Sequence, residues 1–547
     1  MHKHPHLRLW RLTSCVIALL ALPFGALAQT AAPTPATAAT AATPATGTGG
    51  NGAAAPAATA PTPVPAQAAA TVPGSTGVVD DTAKNVPLAK LKDIYNGSLT
   101  PEGASRGDTA WMIVASALVM LMTPGLAFFY GGLVRSKNVL NTLMMSFIAL
   151  AIISVEWMLW GFSEAFGPNE VKIAGAGIFA NPMTWAGLKG VGAAPVAPNT
   201  IPESIYMLFQ MTFAIITPAL ISGAIAERMK FGAYCLFILL WGTFFYNPLA
   251  HMVWGGGYIG TGYLHAIDFA GGTVVHISSG VSALVLAFML GKRKGHGSDE
   301  MRPHNVPMVL LGAALLWFGW FGFNGGSELA ADGVACYAFI NTHIATAAAA
   351  LSWVLVEWIK FKKPTAVGLA SGAVAGLVAI TPACGFVNPF AALIIGLVVS
   401  PICFSAIQLK GKLNAYDDAL DVFGVHACGG MWGALATGLF ANSYINSNIT
   451  TPVATPGGLG AQNGPLGWLA GGPTGSWHQF GVQLEAVALT IVMAVVATFI
   501  IGKVVGLITG GLRAPNDEEE NGLDVTEHGE EGYSGETTGI PALAGMG

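Results

Sequence analysis

The sequence predicts an all-α integral membrane protein with eleven transmembrane helices. Three observations carry this. Of 547 residues, 53% are hydrophobic and 10% charged, whereas soluble domains carry about 25% charged residues. From Thr109 onward the apolar residues gather into stretches of the length, about 20 residues, that crosses a bilayer. Lys and Arg collect in alternate loops, the pattern of a multi-pass chain with its basic loops in the cytoplasm.

Residues 1–28 read as a signal peptide: a basic start from His2 to Arg11, an apolar run from Leu12 to Phe24 too short to span, and the small-residue cleavage site Ala26-Leu27-Ala28. Residues 29 to about 79 are almost entirely Ala, Pro, Thr and Gly, which cannot bury a core. Together with a pre-membrane segment they form an outer tether, 29–107. The transmembrane domain is expected at 108–512. Its spans fall near 109–133, 139–161, 204–225, 231–250, 270–291, 306–324, 337–359, 366–382, 389–408, 422–441 and 481–512. The last is long enough to run on past the membrane.

One set of loops holds Arg135, Lys137, Arg228, Lys230, Lys292, Arg293, Lys294, Arg302, Lys360, Lys362, Lys363, Lys410 and Lys412. The other holds only Lys172 and Lys189. The first set is therefore cytoplasmic, the mature N-terminus outside and the C-terminus inside, in the cell's inner membrane. Two outer loops, 162–203 and 442–480, are long. The tail 513–547 carries nine acids and no Lys or Arg beyond Arg513. It reads equally as a solvated, flexible end or as a docking site for a cytoplasmic regulator.

Bulk charge excludes some functions. A net charge of -5 gives nucleic acid no basic surface to bind. The six cysteines have no metal-ligand spacing, and no cofactor is expected.

His276, in GGTVVHISSGVSALVLAF, and His426, in FGVHACGGMWGALATGLF, lie within predicted spans. An ionisable group at that depth marks a pathway, a relay or a ligand site by default. The histidines lie in the fifth and tenth spans, which run in opposite directions. Two five-helix units, related as an inverted repeat, would bring them together near the midplane, with the eleventh helix added. The alternative is that each ring separately ties down a backbone carbonyl. Asp268 and Asp421 precede the two histidines, and for both the helix cap is favoured over a lure for cations. Phe209 and Phe213 share one helix face. Trp254 follows the fourth span, and Trp320, Phe321 and Phe323 are expected to close the sixth at its outer end. Such aromatics are usually packing or lipid-facing, but a Trp and a Phe converging on one point can hold a small cation. Many of the 71 glycines lie inside spans, where they permit close helix packing.

At these residues the chain resembles the Amt/Mep/Rh ammonium transporters, on their bacterial Amt branch. The motifs are MTPGLAFFYGGLVRSKNVL, AHMVWGGGYI, DFAGGTVVHISSG, GWFGFNGGS, ITPACGF, DVFGVH and the tail GLRAPNDEEENGLDVTEHGEEGY. They run from about Asp108 to Tyr533. The resemblance implies eleven helices, an inverted repeat, and a homotrimer with one pore per subunit, moving ammonium without catalysing a reaction. It makes Phe209, Trp254 and Ser327 an outer recruitment site supported by Asp268. Phe213 and Phe323 become a gate, and His276 and His426 the pore lining and proton relay. It implies a PII-type signalling partner for the tail. Rival readings are an ammonium sensor with little transport, a bis-histidine haem cytochrome, and a channel for another solute such as CO2.

Overall fold

The computed structural model describes residues 98–100, 102–470 and 472–533, all within the compact unit Leu88–Gly547. The expected signal peptide and most of the tether lie outside the described residues, as does the tail beyond 533.

The architecture is helical. The principal elements are α1 (Arg106–Leu133), α2 (Ser136–Phe166), α3 (Glu203–Ile225), α4 (Phe231–Val253), α5 (Gly272–Leu290), α6 (Val306–Gly326), α7 (Gly333–Phe361), α8 (Ala366–Ile380), α9 (Pro389–Leu413), α10 (423–440), α11 (Trp477–Thr509) and the short α12 (Asn516–Asn521). Among the described residues nine helices are long and apolar enough to cross a membrane. The other two predicted spans are α8, with 15 residues, and α10, a five-residue π turn followed by a 13-residue α-helix. The long loop after α2 is not structureless: β1 (Asn169–Ile173) and β2 (Ala176–Ala180) pair antiparallel in it.

Helix starts follow polar caps that take up otherwise unpaired N–H groups. Ser105 accepts from the Asp108 amide at 3.3 Å, Asn305 from Met308 at 3.0 Å, and Asp332 from Val334 and Ala335 at 2.9 and 3.0 Å. Close approach of helix to helix rests on glycine. A Cβ at Gly312 of α6 would lie 2.2 Å from the Phe129 nitrogen of α1. On α5 a Cβ at Gly280 would lie 2.4 Å from the Ala427 nitrogen, so α5 and α10 meet almost backbone to backbone. That contact carries both histidines.

As far as Tyr533 the tail is a folded strap, against the flexible reading. Arg513 Nη2 pairs with Glu519 at 2.7 Å, and Lys294 pairs with Glu520. The Asp524 carboxylate accepts from the Leu140 and Asn141 amides at the start of α2, at 3.0 and 2.8 Å. His304 Nε2 meets the Tyr533 hydroxyl at 2.9 Å.

Candidate functional site

A line of rings runs from the C-terminal end of α4 to the α5–α10 contact. Trp254 meets Phe213 edge to face, centroids 6.0 Å apart. Phe213 packs on Phe209 at 4.9 Å and stacks on Phe323 at 4.1 Å with 21° between planes. Phe323 lies 6.2 Å from His276, whose ring stacks on His426 at 5.5 Å. The structure thus joins Phe209, Trp254, Phe213, Phe323, His276 and His426 into one succession. Phe209, Phe213 and Phe323 are essentially inaccessible to solvent, and both histidines are buried.

Helix geometry puts them there. Phe209 and Phe213 are one turn apart on α3. A Cβ at Gly326 would come within 2.8 Å of the Phe209 ring, so glycine before Ser327 lets that ring pack. Ser327, half-buried at the end of α6, donates its hydroxyl to the Phe323 carbonyl at 2.8 Å. Its oxygen lone pairs remain free to accept.

Each histidine sits in a π turn, His276 in Gly272–Ile277 and His426 in Phe423–Ala427. Such turns are rare and concentrate at functional sites. Asp268 caps the first turn: its carboxylate accepts from the Gly271, Gly272 and Thr273 amides at 2.8, 2.7 and 2.7 Å, and from the Thr273 hydroxyl. Its carbonyl also accepts from Trp254 Nε1 at 2.9 Å. The capping reading holds for Asp268, which also positions Trp254.

It fails for Asp421. The acid that caps the second turn is Asp418, accepting from the Val422 and Phe423 amides at 3.0 and 2.8 Å. Asp418 precedes His426 by the same number of residues as Asp268 precedes His276. Asp421 has a left-handed backbone (φ 61°) and instead pairs with Lys410. Burial pushes the Asp418 carboxyl up to about 6, against the pull of Lys410.

His276 and His426 approach through Nδ1 and Nδ1, 3.4 Å apart. A neutral imidazole has one donor and one acceptor nitrogen, so one ring donates and the other accepts. Nε2 of His276 is buried without a partner, leaving a hydrogen-bonding position open to a small polar guest. Two nitrogens on either side of a metal stand about 4 Å apart, at about 2 Å each. The rings face each other directly and closer than that, so a haem does not fit between them.

Trp320 is a correction. It does not close the outer end of α6; it is buried and stacks on His276 at 5.4 Å, its Nε1 donating to Thr381 Oγ1 at 2.9 Å. Phe321 leaves the line and stacks on Phe339. Below His426 a cavity of about 220 Å³ opens, lined among others by Phe129, Tyr130, Met301, Asp421 and Val425. At the opposite end Glu328, next to Ser327, was not singled out by the sequence; burial pushes its carboxyl up to about 8, with Asp332 adding to the rise.

Comparison with known proteins agrees in direction. The sequence model of the Ammonium Transporter Family matches residues 110–533. An ammonium transporter of Bacillus subtilis is 53% identical over 428 residues, 78% of this chain and 98% of the relative. The ammonium transporter Amt1 of Archaeoglobus fulgidus is 42% identical, covering 79% of this chain and all of the relative. Among solved structures, Saccharomyces cerevisiae Mep2 aligns with a TM-score of 0.68 at 34% identity, over 80% of this chain and 94% of its own. A structure described as a sensor Amt protein aligns at 0.66 with 28% identity, over 77% of this chain and 98% of its own.

Proposed function

The chain belongs to the ammonium transporter family, and from that premise we propose that the ring succession is its transport route. NH4+ is recruited at the outer end by Phe209 and Trp254 through cation–π attraction, with the Ser327 oxygen as acceptor. Bare NH4+ is too costly to carry through an apolar passage, whereas NH3 is small and neutral. The ion is therefore deprotonated near the Phe213–Phe323 gate. NH3 passes His276 and His426, exchanging hydrogen bonds with their ring nitrogens, and is reprotonated in the cavity below His426. The proton crosses separately along the histidine pair.

The observation that carries this reading is the unbroken contact from Trp254 through Phe213 and Phe323 to His276 and His426. Asp268 acts through position, holding the Trp254 indole and the His276 turn, rather than as a bare charge. Trp320 and Thr381 fix the plane of the His276 ring.

The remaining assignments share this footing. The protein sits in the inner membrane as a homotrimer, with its N-terminus outside and its C-terminus cytoplasmic, and the acidic tail strap receives a PII-type signalling protein. Current and flux measurements on proteoliposomes under an ammonium gradient, with methylammonium for comparison, test the proposal. Well-folded protein that passes neither would overturn it, and binding without flux would favour the sensor reading.

A further inference from the structure

Two carboxyl groups lie inside the membrane-spanning helices, off the ring succession. Glu156 and Glu164 are 1% and 3% exposed and flank the π turn Trp157–Gly161 of α2. Opposite them, Asn247 directly follows a second π turn, Gly242–Tyr246 of α4. Its Nδ2 donates to Glu156 Oε1 at 2.7 Å and to Glu164 Oε2 at 2.8 Å. The Thr243 hydroxyl donates to Glu156 Oε1 at 3.1 Å and accepts from Trp160 Nε1 at 3.0 Å.

The hydrogen count falls short. Glu156 Oε2 and Asn247 Oδ1 are both buried without a partner. Neither glutamate forms an ion pair with a basic side chain among the described residues. Three titratable side chains contact residues beside the glutamates: Tyr206 packs on Phe162 and Phe166, Tyr246 on Trp157, and His251 bonds the Ala165 carbonyl. The His251 ring is engaged elsewhere, Nδ1 on the Ala165 carbonyl at 3.1 Å and Nε2 on Asn169 Oδ1 at 2.7 Å.

We propose that the Glu156–Asn247–Glu164 cluster is a proton-binding site within the membrane, holding one proton outside the transport route. Two carboxylates against one amide nitrogen, with no countercharge and little solvent, repel each other; such a pair retains a proton. A carboxyl O–H on either glutamate supplies the donor that the buried acceptors need. The packing also selects the guest: a Cβ at Gly161 would lie 2.6 Å from Glu156 Oε2 and 3.1 Å from Asn247 Nδ2, so that side of the cluster is closed to a larger cation. The inference rests on the helices α2 and α4 being embedded and is independent of how the pore works.

Infrared spectroscopy of the full chain in liposomes at neutral pH tests it. The difference spectrum of wild type minus the Glu156→Gln/Glu164→Gln double variant cancels other protonated acids such as Glu328 and is expected to show the carbonyl stretch of a protonated carboxylic acid, shifted in D2O. One of the two single variants should keep it. Identical spectra of wild type and double variant in that region would overturn the proposal. If the variant does not fold, Glu328→Gln protein carrying carboxyl-13C glutamate gives the same answer, since Glu328 is itself a raised acid: the acid band must move with the label, and a band that does not move sinks the idea. Ammonium flux through the folded double variant should equal that of the wild type; lost flux would place the proton on the transport route and overturn that part.

Discussion

Nδ1 of His276 and Nδ1 of His426 face each other at 3.4 Å across the glycine-lined contact of α5 and α10. The pair offers a guest donors and acceptors without a fixed charge. On the proposed route, a carboxylate in place of His276 would put a negative charge beside the passage. In a low-dielectric site that is worth well over 1.4 kcal/mol to a passing cation, or at least about tenfold in permeability. His276→Asp is therefore expected to raise cation currents and admit potassium. Current recording under separate ammonium and potassium gradients decides it, and unchanged selectivity would count against a neutral histidine line.

Trp254 meets Phe213 edge to face and is held by the Asp268 carbonyl through its indole nitrogen. In the proposed route it contributes attraction for the ion rather than a barrier to it. Trp254→Leu should raise the half-saturating ammonium concentration about twofold to thirtyfold, corresponding to about 0.5–2 kcal/mol of cation–π attraction. The maximal flux should fall much less. A concentration series in proteoliposomes separates the two quantities; an unchanged half-saturation with reduced maximum would assign Trp254 to the gate instead.

The Asp268 carboxylate serves four donors around the His276 turn. Asp268→Ala strands three buried amides, and hydrogen bonds to charged groups contribute roughly 1.5–3 kcal/mol each. The variant is expected to melt markedly lower and to lose transport. Asp268→Asn, which still accepts, should recover part of the stability. Were both variants equally stable to the wild type in thermal melts, with transport alone lost, Asp268 would be a direct participant and the capping account wrong.

Much of this was legible from residue types at fixed spacing. The two histidines were visible because an ionisable group in an apolar run is expensive. Phe209 and Phe213 followed from helical periodicity, and the spans from apolar length. What the sequence hid depends on backbone geometry that no local pattern records. The π turns shift the phase of α5 and α10, so Asp418 rather than the nearer Asp421 reaches the amides ahead of His426. Trp320 looked interfacial because Trp commonly is; only the approach of α6 to α5 turns it onto His276. The tail strap depends on pairings across most of the chain, such as Asp524 with Asn141, which charge counting alone cannot choose from a solvated run.

The acid–arginine cluster around Arg293 gives the clearest pH dependence. Asp417, 1% exposed, takes the backbone amide, Nε and Nη2 of Arg293 at 2.9, 2.8 and 3.0 Å. Glu227 joins Arg293 to Arg135, at 3.2 and 2.7 Å. Burial pushes the Asp417 carboxyl up, but the hydrogen bonds and charge of Arg293, with Arg228, outweigh it and hold the acid below its ordinary range. Glu227 is held low in the same way by Arg135 and Arg293. Both acids bind protons more weakly folded than unfolded. Their stabilisation is therefore complete above the ordinary carboxylate range, about pH 4, and is lost as pH falls through the folded values. Asp417→Asn leaves the buried Arg293 with Glu227 as its remaining ion-pair partner, a loss of up to about 3–5 kcal/mol at neutral pH. The gap in melting temperature between wild type and variant should narrow steadily as the pH is lowered below about 4. A gap that stays constant from neutral to acid pH would show that Asp417 holds the loop by shape and not by charge.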